Sequence, residues 1–136
     1  MVVPTRQVEV RQATAEEILP FIKRACAFAP AGVTIDPAEV IAYGTGFIAY
    51  ENGVPFLGYT LEPDGDELVM TTAAGTSSFD LVRALVILTE VHGAKYRSIR
   101  FQTIRRGLVR KASKFGYRVV AHVADVYVMR KENGKQ

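Results

Sequence analysis

A run of basic residues near the C-terminus has the type and spacing best suited to binding chemistry. Arg106, Arg110 and Lys114 recur every four residues, which places them on one face of a helix, and Arg105 and Lys111 lie beside them. Such a stripe can bind an acidic protein surface, a phosphate-bearing ligand or the backbone of a nucleic acid. The alternative interpretation is a solvated helix face without a partner.

The charge of the chain is divided between its two parts. Residues 93–136 contain 12 Lys and Arg against 2 Asp and Glu, whereas residues 1–92 contain 5 against 12. Either the two parts neutralise each other within one fold, or the basic part presents an electropositive surface to a partner. A nonspecific polyanion binder is one form of the second hypothesis. Sequence-specific nucleic-acid recognition is not expected, because only Phe115 and Tyr117 lie among the basic residues and no recognition motif is present.

The other reactive side chains form no catalytic or metal-binding motif. His92 falls at the end of a predicted helix, where a cation interacts favourably with the helix dipole, and His122 lies in apolar, strand-like sequence. Asp64, Asp66 and Glu67 lack the spacing of a calcium loop, and no Cys/His cluster has ligand spacing, so we expect no metal site. The single cysteine excludes an internal disulfide.

The composition is that of an ordinary globular protein. The 136-residue chain is 49% hydrophobic and 23% charged, and its length suits one domain, which we place at residues 1–131 with a frayed tail at 132–136. Apolar runs such as Ala84–Leu88 are far shorter than the roughly 20 residues that span a bilayer, and the N-terminus lacks a signal-peptide core. These features predict a cytoplasmic protein that does not contact a membrane.

Local signals predict the elements of the N-terminal half. Thr14 and Glu17 have the spacing of a capping box, which opens a first helix that reaches about residue 27. Asp36-Pro37 supplies the cap and the first residue of a short second helix. Asn52-Gly53 between two β-rich runs predicts a hairpin with a type I′ turn. The predicted strands are residues 8–11, 47–51, 54–61 and 67–72.

The C-terminal half alternates helical and strand-like sequence. Residues 78–92 have helical periodicity with an apolar surface wide enough for burial on most sides, and Gly93 is predicted to end this helix as its C′ residue. A strand around Ile99 and a helix over residues 105–115 follow. No turn signal divides residues 117–130, so they form either one bent strand or two. This order predicts an α/β (α+β) fold whose sheet has strands of mixed direction.

Three segments in this order resemble the GNAT family of acyl-CoA N-acyltransferases. Val8–Glu17 is similar to the family's first strand and helix cap, and Phe47–Leu61 is similar to its second and third strands. Phe115-Gly116-Tyr117 resembles the Gly-Phe signature that follows the family's fourth helix. The resemblance covers nearly the whole chain, and it implies a mostly antiparallel central sheet of about 6–7 strands flanked by about 4 helices.

The resemblance also implies where a cofactor would bind. Active family members hold the acyl-CoA pyrophosphate on backbone N–H groups at a helix N-terminus, in a loop with an Arg or Gln and two small residues. An alignment without gaps from Gly93 places Ala73, Thr76 and Ser78 at these three positions. The remaining cofactor loop would consist of Gly75, Thr76, Ser77 and Ser78. The alternative is a helix N-cap by Thr76 or Ser77 that binds no ligand.

The catalytic residues of the family can be carried over only in part. Many members place a tyrosine four residues before the Gly of the signature, where it protonates the departing CoA thiolate. That position is Ala112 here, and Tyr117, Tyr127 or a water could replace it in an altered site; not every family member uses the tyrosine. The family's general base is a carboxylate on a central strand, for which Glu67 and Glu62 are the nearest residues, although both are also ordinary strand or turn charges.

The changed loop and the missing tyrosine predict a GNAT-fold protein that acts as a noncatalytic structural or interaction module and uses no cofactor. Its size and changed site also resemble virion-associated GNAT-like proteins of tailed phages, which implies a virion as the alternative location. The competing hypothesis is an acetyl-CoA-dependent N-acetyltransferase with an atypical pyrophosphate loop. The expected partner of the basic stripe is an acidic protein surface or a phosphate-bearing ligand.

Overall fold

Seven strands and four α-helices make up the part of the chain that the computed structural model describes, residues 8–27, 36–76 and 79–133. In chain order the elements are β1 (Val8–Gln12), α1 (Ala15–Cys26), α2 (Pro37–Tyr43), β2 (Thr45–Glu51), β3 (Val54–Asp64), β4 (Glu67–Gly75), α3 (Phe79–Ile87), β5 (Ser98–Thr103), α4 (Arg106–Ser113), β6 (Arg118–Val123) and β7 (Val126–Glu132). A π-helical turn (Leu88–His92) and a short 3₁₀ turn (Gly93–Lys95) join α3 to β5.

The strands form one sheet in the order β1-β2-β3-β4-β5-β7-β6. Neighbouring strands are antiparallel except for β4 and β5, which are parallel. A parallel pair cannot be joined by a tight turn and needs a crossover connection, which α3 and the two turns after it provide. The predicted α/β class, with a mostly antiparallel sheet, is confirmed.

Helices pack on both faces of the sheet. On one face, Ile18 and Ile22 of α1 form an apolar cluster with Ile48 of β2. On the other face, Leu85 of α3 belongs to the larger cluster, which includes Tyr59 of β3. That cluster also contains Leu57, Leu68, Leu88, Ile99, Phe101, Ala112, Tyr117 and Met129. Successive side chains of a strand point to opposite faces, so β2 and β3 contribute to both layers.

The local predictions in the N-terminal half are confirmed. The Thr14 hydroxyl accepts a hydrogen bond from the Glu17 N–H at 3.2 Å, and the Glu17 carboxylate accepts one from the Thr14 N–H at 2.8 Å. Asp36 caps α2 by accepting from the Ala38 N–H at 3.0 Å. Asn52 and Gly53 both have positive φ, 52° and 83°, as a type I′ turn requires.

In the C-terminal half, one prediction is wrong, and one alternative that the sequence left open is decided. Gly93 has φ −76°, so it is not a left-handed C′ residue. Instead, a Cβ at this position would lie 2.5 Å from Cδ1 of Ile99, so the glycine allows close packing of the turn on β5. Residues 117–130 contain two strands, joined by a turn at Ala124 and Asp125 in which Ala124 has φ 52°.

The described residues extend to Asn133, two positions beyond the predicted domain boundary at residue 131. Strand β7 runs to Glu132, and the Asn133 side chain donates hydrogen bonds to the carbonyls of Gly93 and Tyr96 at 2.7 and 2.8 Å. Residues 134–136 of the predicted tail lie outside the described residues. None of the helices in the described ranges is long and apolar enough to cross a membrane.

Candidate functional site

The parallel strands β4 and β5 part halfway along their length. Their pairing extends from Glu67 and Ser98 to Met70 and Phe101, while β4 continues to Gly75. The β3–β4 pairing shifts at this point, because Thr60 pairs with Thr72 and Leu61 pairs with Met70. Thr71 is therefore a β-bulge, and an opening between β4 and β5 begins beside it.

Hydroxyl groups cluster at the bulge. The Thr60 hydroxyl lies 2.5 Å from that of Thr71 and 2.6 Å from that of Thr72. Residues 71–75 of β4 and 102–103 of β5 include no Asp, Glu, His, Lys, Arg, Cys or Tyr. Hydroxyl and amide groups can orient a ligand by hydrogen bonds, but they are poor proton acceptors at neutral pH. These strand residues therefore supply no general base to the opening.

The loop after β4 contains a buried carboxylate. Asp80, in the first turn of α3, is 5% exposed and accepts a hydrogen bond from the Thr76 hydroxyl at 2.8 Å. A Cβ at Gly75 would lie 2.4 Å from Cβ of Asp80, so a glycine is required for this approach. Carboxylates stabilise helix N-termini because they interact with the positive end of the helix dipole. Asp80 thus supplies an anion at the N-terminus of α3.

Two arginines flank this loop, and carboxylates pair with one of them. Arg83 lies 3.1 Å from Glu51 and 3.7 Å from Asp80, and its guanidinium stacks on the Phe56 ring with 3.9 Å to the centroid. Arg24 donates a hydrogen bond to the Gly75 carbonyl at 3.0 Å. Asp80 and Glu51 therefore match the charge of Arg83, whereas Arg24 contacts a neutral carbonyl.

Solved N-acetyltransferases have the same fold over almost the whole chain. The ribosomal-protein-S18-alanine N-acetyltransferase from Escherichia coli has a TM-score of 0.68 at 11% identity, with 96% of each chain covered. A GNAT-family acetyltransferase from Streptococcus pneumoniae has a TM-score of 0.60 at 12% identity, over 94% of this chain and 100% of that one. The paia N-acetyltransferase from Thermoplasma acidophilum, in complex with coenzyme A, has a TM-score of 0.64 at 11% identity, over 93% and 99%.

This chain has the GNAT fold. No family model and no curated protein matches its sequence. At identities of 9 to 14% the likeness establishes the arrangement of helices and strands, and the side chains must be judged individually.

In this GNAT fold, the predicted cofactor loop lies between β4 and α3. Gly75 ends β4, and Thr76 donates its N–H to the Phe56 carbonyl at 3.1 Å. The backbone N–H of Thr76 is thus already paired, and its hydroxyl donates to Asp80. Ser77 and Ser78, the other two predicted loop residues, lie outside the described residues. Cofactor binding by this loop stays a prediction.

Glu67, the first residue predicted as a general base, lies at the paired end of β4 in an ion cluster. Its carboxylate is 2.6 Å from Arg130 Nε and 3.0 Å from Arg100 Nε, and it accepts a hydrogen bond from the Ser98 hydroxyl at 2.9 Å. Burial raises the pKa of Glu67, but the hydrogen bonds from Arg130 and Ser98 and the two arginine charges outweigh it, so the pKa is lowered. A carboxylate held in this way is a weak proton acceptor.

Glu62, the second predicted base, is a half-buried residue of β3 that pairs with Val69 of β4. Both glutamates lie on the side of the bulge where β4 begins. The predicted cofactor loop instead follows the C-terminal end of β4. The residues between Glu67 and Gly75 form an extended strand of about 3.3 Å per residue. The structure therefore does not bring the predicted base and the predicted cofactor loop together.

The residues predicted to replace the general acid are packed in the core or beside it. Tyr117 is 2% exposed, and its hydroxyl lies 3.2 Å from that of Thr89. Burial raises the pKa of Tyr117, although the hydrogen bond with Thr89 lowers it. Ala112, at the family's tyrosine position, is fully buried. Tyr127 is half-buried and stacks on His122 at 4.0 Å.

An aromatic cluster surrounds His92, and no sequence pattern predicted it. Nε2 of His92 lies 2.7 Å from the Tyr59 hydroxyl, and the Phe47 ring is 4.6 Å from the imidazole. Burial lowers the pKa of His92 and raises that of Tyr59, so a neutral imidazole can accept the phenolic hydrogen. The π-helical turn orients His92 towards the sheet. Its role is to join this turn to β3 rather than to cap the helix.

The predicted basic stripe is on the surface of the molecule. Arg106, Arg110, Lys111 and Lys114 are exposed, and Arg105 is the half-buried residue before α4. Within the described ranges no carboxylate forms a salt bridge with the four exposed residues. The acidic turn at residues 64–67 pairs instead with Arg97, Arg100 and Arg130.

Sequence reasoning missed Asp80, the bulge at Thr71 and the ion cluster of Glu67. A sequence signal existed for Asp80, because an acid in the first turn of a helix is a common N-terminal feature. The other two depend on strand pairing, which the sequence does not specify. No group of His, Cys, Asp and Glu in the described part of the chain could hold a metal ion.

Proposed function

We propose that this protein is a noncatalytic GNAT-fold module that binds another macromolecule and uses no acyl-CoA. The observation that carries the proposal is Asp80. A carboxylate fixed at the N-terminus of α3 occupies the electrostatic position that a pyrophosphate would need.

The effect of this carboxylate on an anion is unfavourable in two ways. Asp80 already interacts with the helix dipole, and it accepts the hydroxyl hydrogen of Thr76, which is then not available to a phosphate. Like charges about 4 Å apart repel by roughly 4 kcal/mol near a protein surface. Arg83 forms ion pairs with both Glu51 and Asp80, so it has no unpaired positive charge to offer to a phosphate.

The surroundings of the other predicted catalytic residues support the same proposal. Glu67 has a lowered pKa and two arginine partners. Tyr117 is buried with its hydroxyl on Thr89, and Ala112 has no ionisable group. A proton-transfer residue must reach the reacting atoms and have a pKa near the working pH.

A narrower form of this proposal is that the module is part of a phage particle. The support is the small size of the chain together with its altered cofactor loop. Mass spectrometry of purified particles from the source virus would test it. Detection of the chain at a fixed copy number in particles would support a virion role, and its restriction to the host cytoplasm would contradict it.

A second function, acetyl-CoA-dependent N-acetyltransfer, is favoured by the opening between β4 and β5. This opening begins at the bulge of Thr71, where a thioester could lie beside unpaired strand edges. A pocket of about 170 Å³ lies between α1, α2 and β2, and Thr60 is one of its lining residues. This pocket could admit a small acceptor. Its described lining includes no charged residue. The lining residues are Gln12, Ala13, Ala15, Ile18, Ile41, Gly44, Thr45, Gly46 and Thr60.

Calorimetric titration with acetyl-CoA separates the two functions. We expect no binding to the wild-type chain up to millimolar ligand. Asp80→Asn keeps the size of the side chain and removes its charge, so this variant should gain measurable affinity. Asp125→Asn, in the exposed turn between β6 and β7, removes the same charge elsewhere and should behave like the wild type.

Micromolar binding by the wild-type chain, together with release of free CoA in the presence of amines, would overturn the proposal. If Asp80→Asn and wild type both fail to bind, Asp80 is not what excludes the cofactor, and the noncatalytic proposal would rest on the missing acid and base alone.

A further inference from the structure

The edge strand β6 is unusually exposed and apolar. It is the last strand of the sheet and pairs only with β7, so its outer edge has no neighbour among the described strands. All six of its residues are exposed, and Val119, Val120 and Val123 are 43%, 39% and 72% exposed. Proteins usually protect such edges with charged side chains or proline. Here the only charged residue of the strand is Arg118 at its start.

The two faces of this edge differ in chemistry. Ala121 pairs with Val128 and Val123 pairs with Val126, so these four residues share one face. On the opposite face, Val119 pairs with Met129, which belongs to the core cluster that includes Ala112 of α4. One face beside β6 is therefore apolar over these four residues and ends at the Arg118–Arg130 pair, and the other face borders α4.

Helix α4 makes the second face strongly basic. Its exposed Arg106, Arg110, Lys111 and Lys114 form no salt bridge with a described residue, and α4 contacts β6 directly. Since uncompensated like charges on one helix repel each other, an anionic partner would lower the free energy of this surface. Charge complementarity thus indicates the sign of the partner.

A second copy of this chain is a poor occupant of the edge. Antiparallel pairing of two β6 strands about a two-fold axis perpendicular to the sheet keeps each α4 on the same face of the joined sheet. The two basic helices would then face each other across the interface. An unrelated strand with acidic residues avoids this repulsion.

We propose that β6 binds an extended acidic segment of a partner protein by strand addition. The main chain of the segment pairs with the outer edge of β6. Its acidic side chains lie over α4, and its alternate apolar side chains cover Ala121, Val123, Val126 and Val128. This inference rests on the proposed interaction function, but its test uses no acyl-CoA, so the two can fail separately.

The probe is a fluorescently labelled synthetic peptide of about eight residues that alternates valine and glutamate. Its binding to the full chain is measured by fluorescence anisotropy. A matched peptide with N-methyl groups on alternate amides keeps the side chains but cannot form a strand ladder. We expect the unmethylated peptide to bind at least about tenfold more tightly, and binding should weaken as salt rises.

Matched variants of the chain test each face. Val123→Ser should weaken peptide binding several-fold, whereas Val54→Ser, at a residue 64% exposed on β3, should not. Arg106/Arg110/Lys114→Gln should also weaken binding. Lys23/Lys95/Arg97→Gln removes the same charge from exposed positions elsewhere and should have little effect.

Three results would overturn the proposal. Equal binding of the methylated peptide would mean that β6 forms no ladder. Heparin that binds as tightly as the peptide, with no effect of Val123→Ser, would identify a nonspecific polyanion surface. Sedimentation that shows a dimer of the wild-type chain, lost in Val123→Ser, would identify a second copy as the occupant.

Discussion

Glu67 is held by side chains from two other strands, β5 and β7, and those contacts suit a structural role. Glu67→Gln leaves Arg100 and Arg130 without their shared anion. We expect the free energy of unfolding to fall by about 1 to 3 kcal/mol, since charged groups lose their hydrogen-bonded partner. Urea denaturation measures the loss. Glu62→Gln is the control, because Glu62 forms no ion pair with a described residue, and its effect should be within about 0.5 kcal/mol.

The contribution of Glu67 should depend on pH in a defined direction. Because the pKa of Glu67 in the folded chain lies below its ordinary value of 4.5, its stabilising effect is complete above that pH. It is lost as the pH falls through the lowered pKa. The stability difference between wild type and Glu67→Gln should therefore be constant near neutrality and narrow in acid. A difference that persists unchanged in acid would mean that the charge of Glu67 is not responsible.

Protonation of His92 should change the stability of the chain at a higher pH than protonation of Glu67 does. Its pKa is lowered by burial from 6.5, so below pH 6.5 the unfolded chain binds a proton more readily than the folded one. Stability should decrease as the pH falls from about 7.5 through this range. His92→Gln should be less stable at neutral pH but lose this slope. A slope that is identical in both proteins, measured by melting temperature, would contradict the role assigned to the Tyr59–His92 contact.

At the scale of elements, α3 packs on the sheet through buried apolar side chains. Leu85 is fully buried in the large apolar cluster, so Leu85→Asp would place a charge there without a partner. We expect this variant to give no soluble protein. Val91→Asp introduces the same side chain in the π-helical turn after α3, at a residue 55% exposed, and should express normally. Equal expression of the two variants would contradict the packing of α3 on the sheet.

The elements that the sequence predicted are those with local signals. Thr14 with Glu17, Asp36 with Pro37, and Asn52 with Gly53 each act within four residues, so the sequence specifies their geometry. The turn at Ala124 was missed, because alanine rarely adopts the positive φ found there. The change from α-helix to π-helix after Ile87 also has no local signal, and the Tyr59–His92 contact that accompanies it joins residues 33 positions apart.

The candidate site was harder to predict than the fold for the same reason. The loop between β4 and α3 was found through its resemblance to a known pattern. The partners of Glu67 could not be found, because Arg130 is 63 residues away and meets it only through the strand order. The same holds for the opening between β4 and β5, which exists only where their pairing ends.

At the scale of the whole molecule, the acidic and basic parts of the chain neutralise each other only in part. Arg100 and Arg130 pair with Glu67, and Arg97 lies 3.9 Å from Asp66, so the strands of the basic part meet the acidic turn. Helix α4 has no such contact with a described residue. Internal neutralisation therefore holds for these strands, whereas a partner for the electropositive surface of α4 stays a prediction.

This division predicts the effect of removing the basic stripe. Arg106/Arg110/Lys114→Gln relieves repulsion of a few tenths of a kcal/mol for each i, i+4 pair, so the melting temperature should stay the same or rise. Differential scanning calorimetry measures it, with Lys23/Lys95/Arg97→Gln as the control for net charge. If the triple α4 variant melts several degrees lower than this control, the stripe has an internal counter-charge and is a structural feature.

The carboxylate at the start of α3 has one more consequence. A diffusible anion leaves its site when the solution is diluted or dialysed, and the stability that it confers falls with its concentration. Asp80 is part of the chain, so its local concentration never changes. The free energy of unfolding should therefore not change when phosphate or other anionic metabolites are removed from the solution. The N-terminus of α3 thus keeps its counterion at every concentration of dissolved anions.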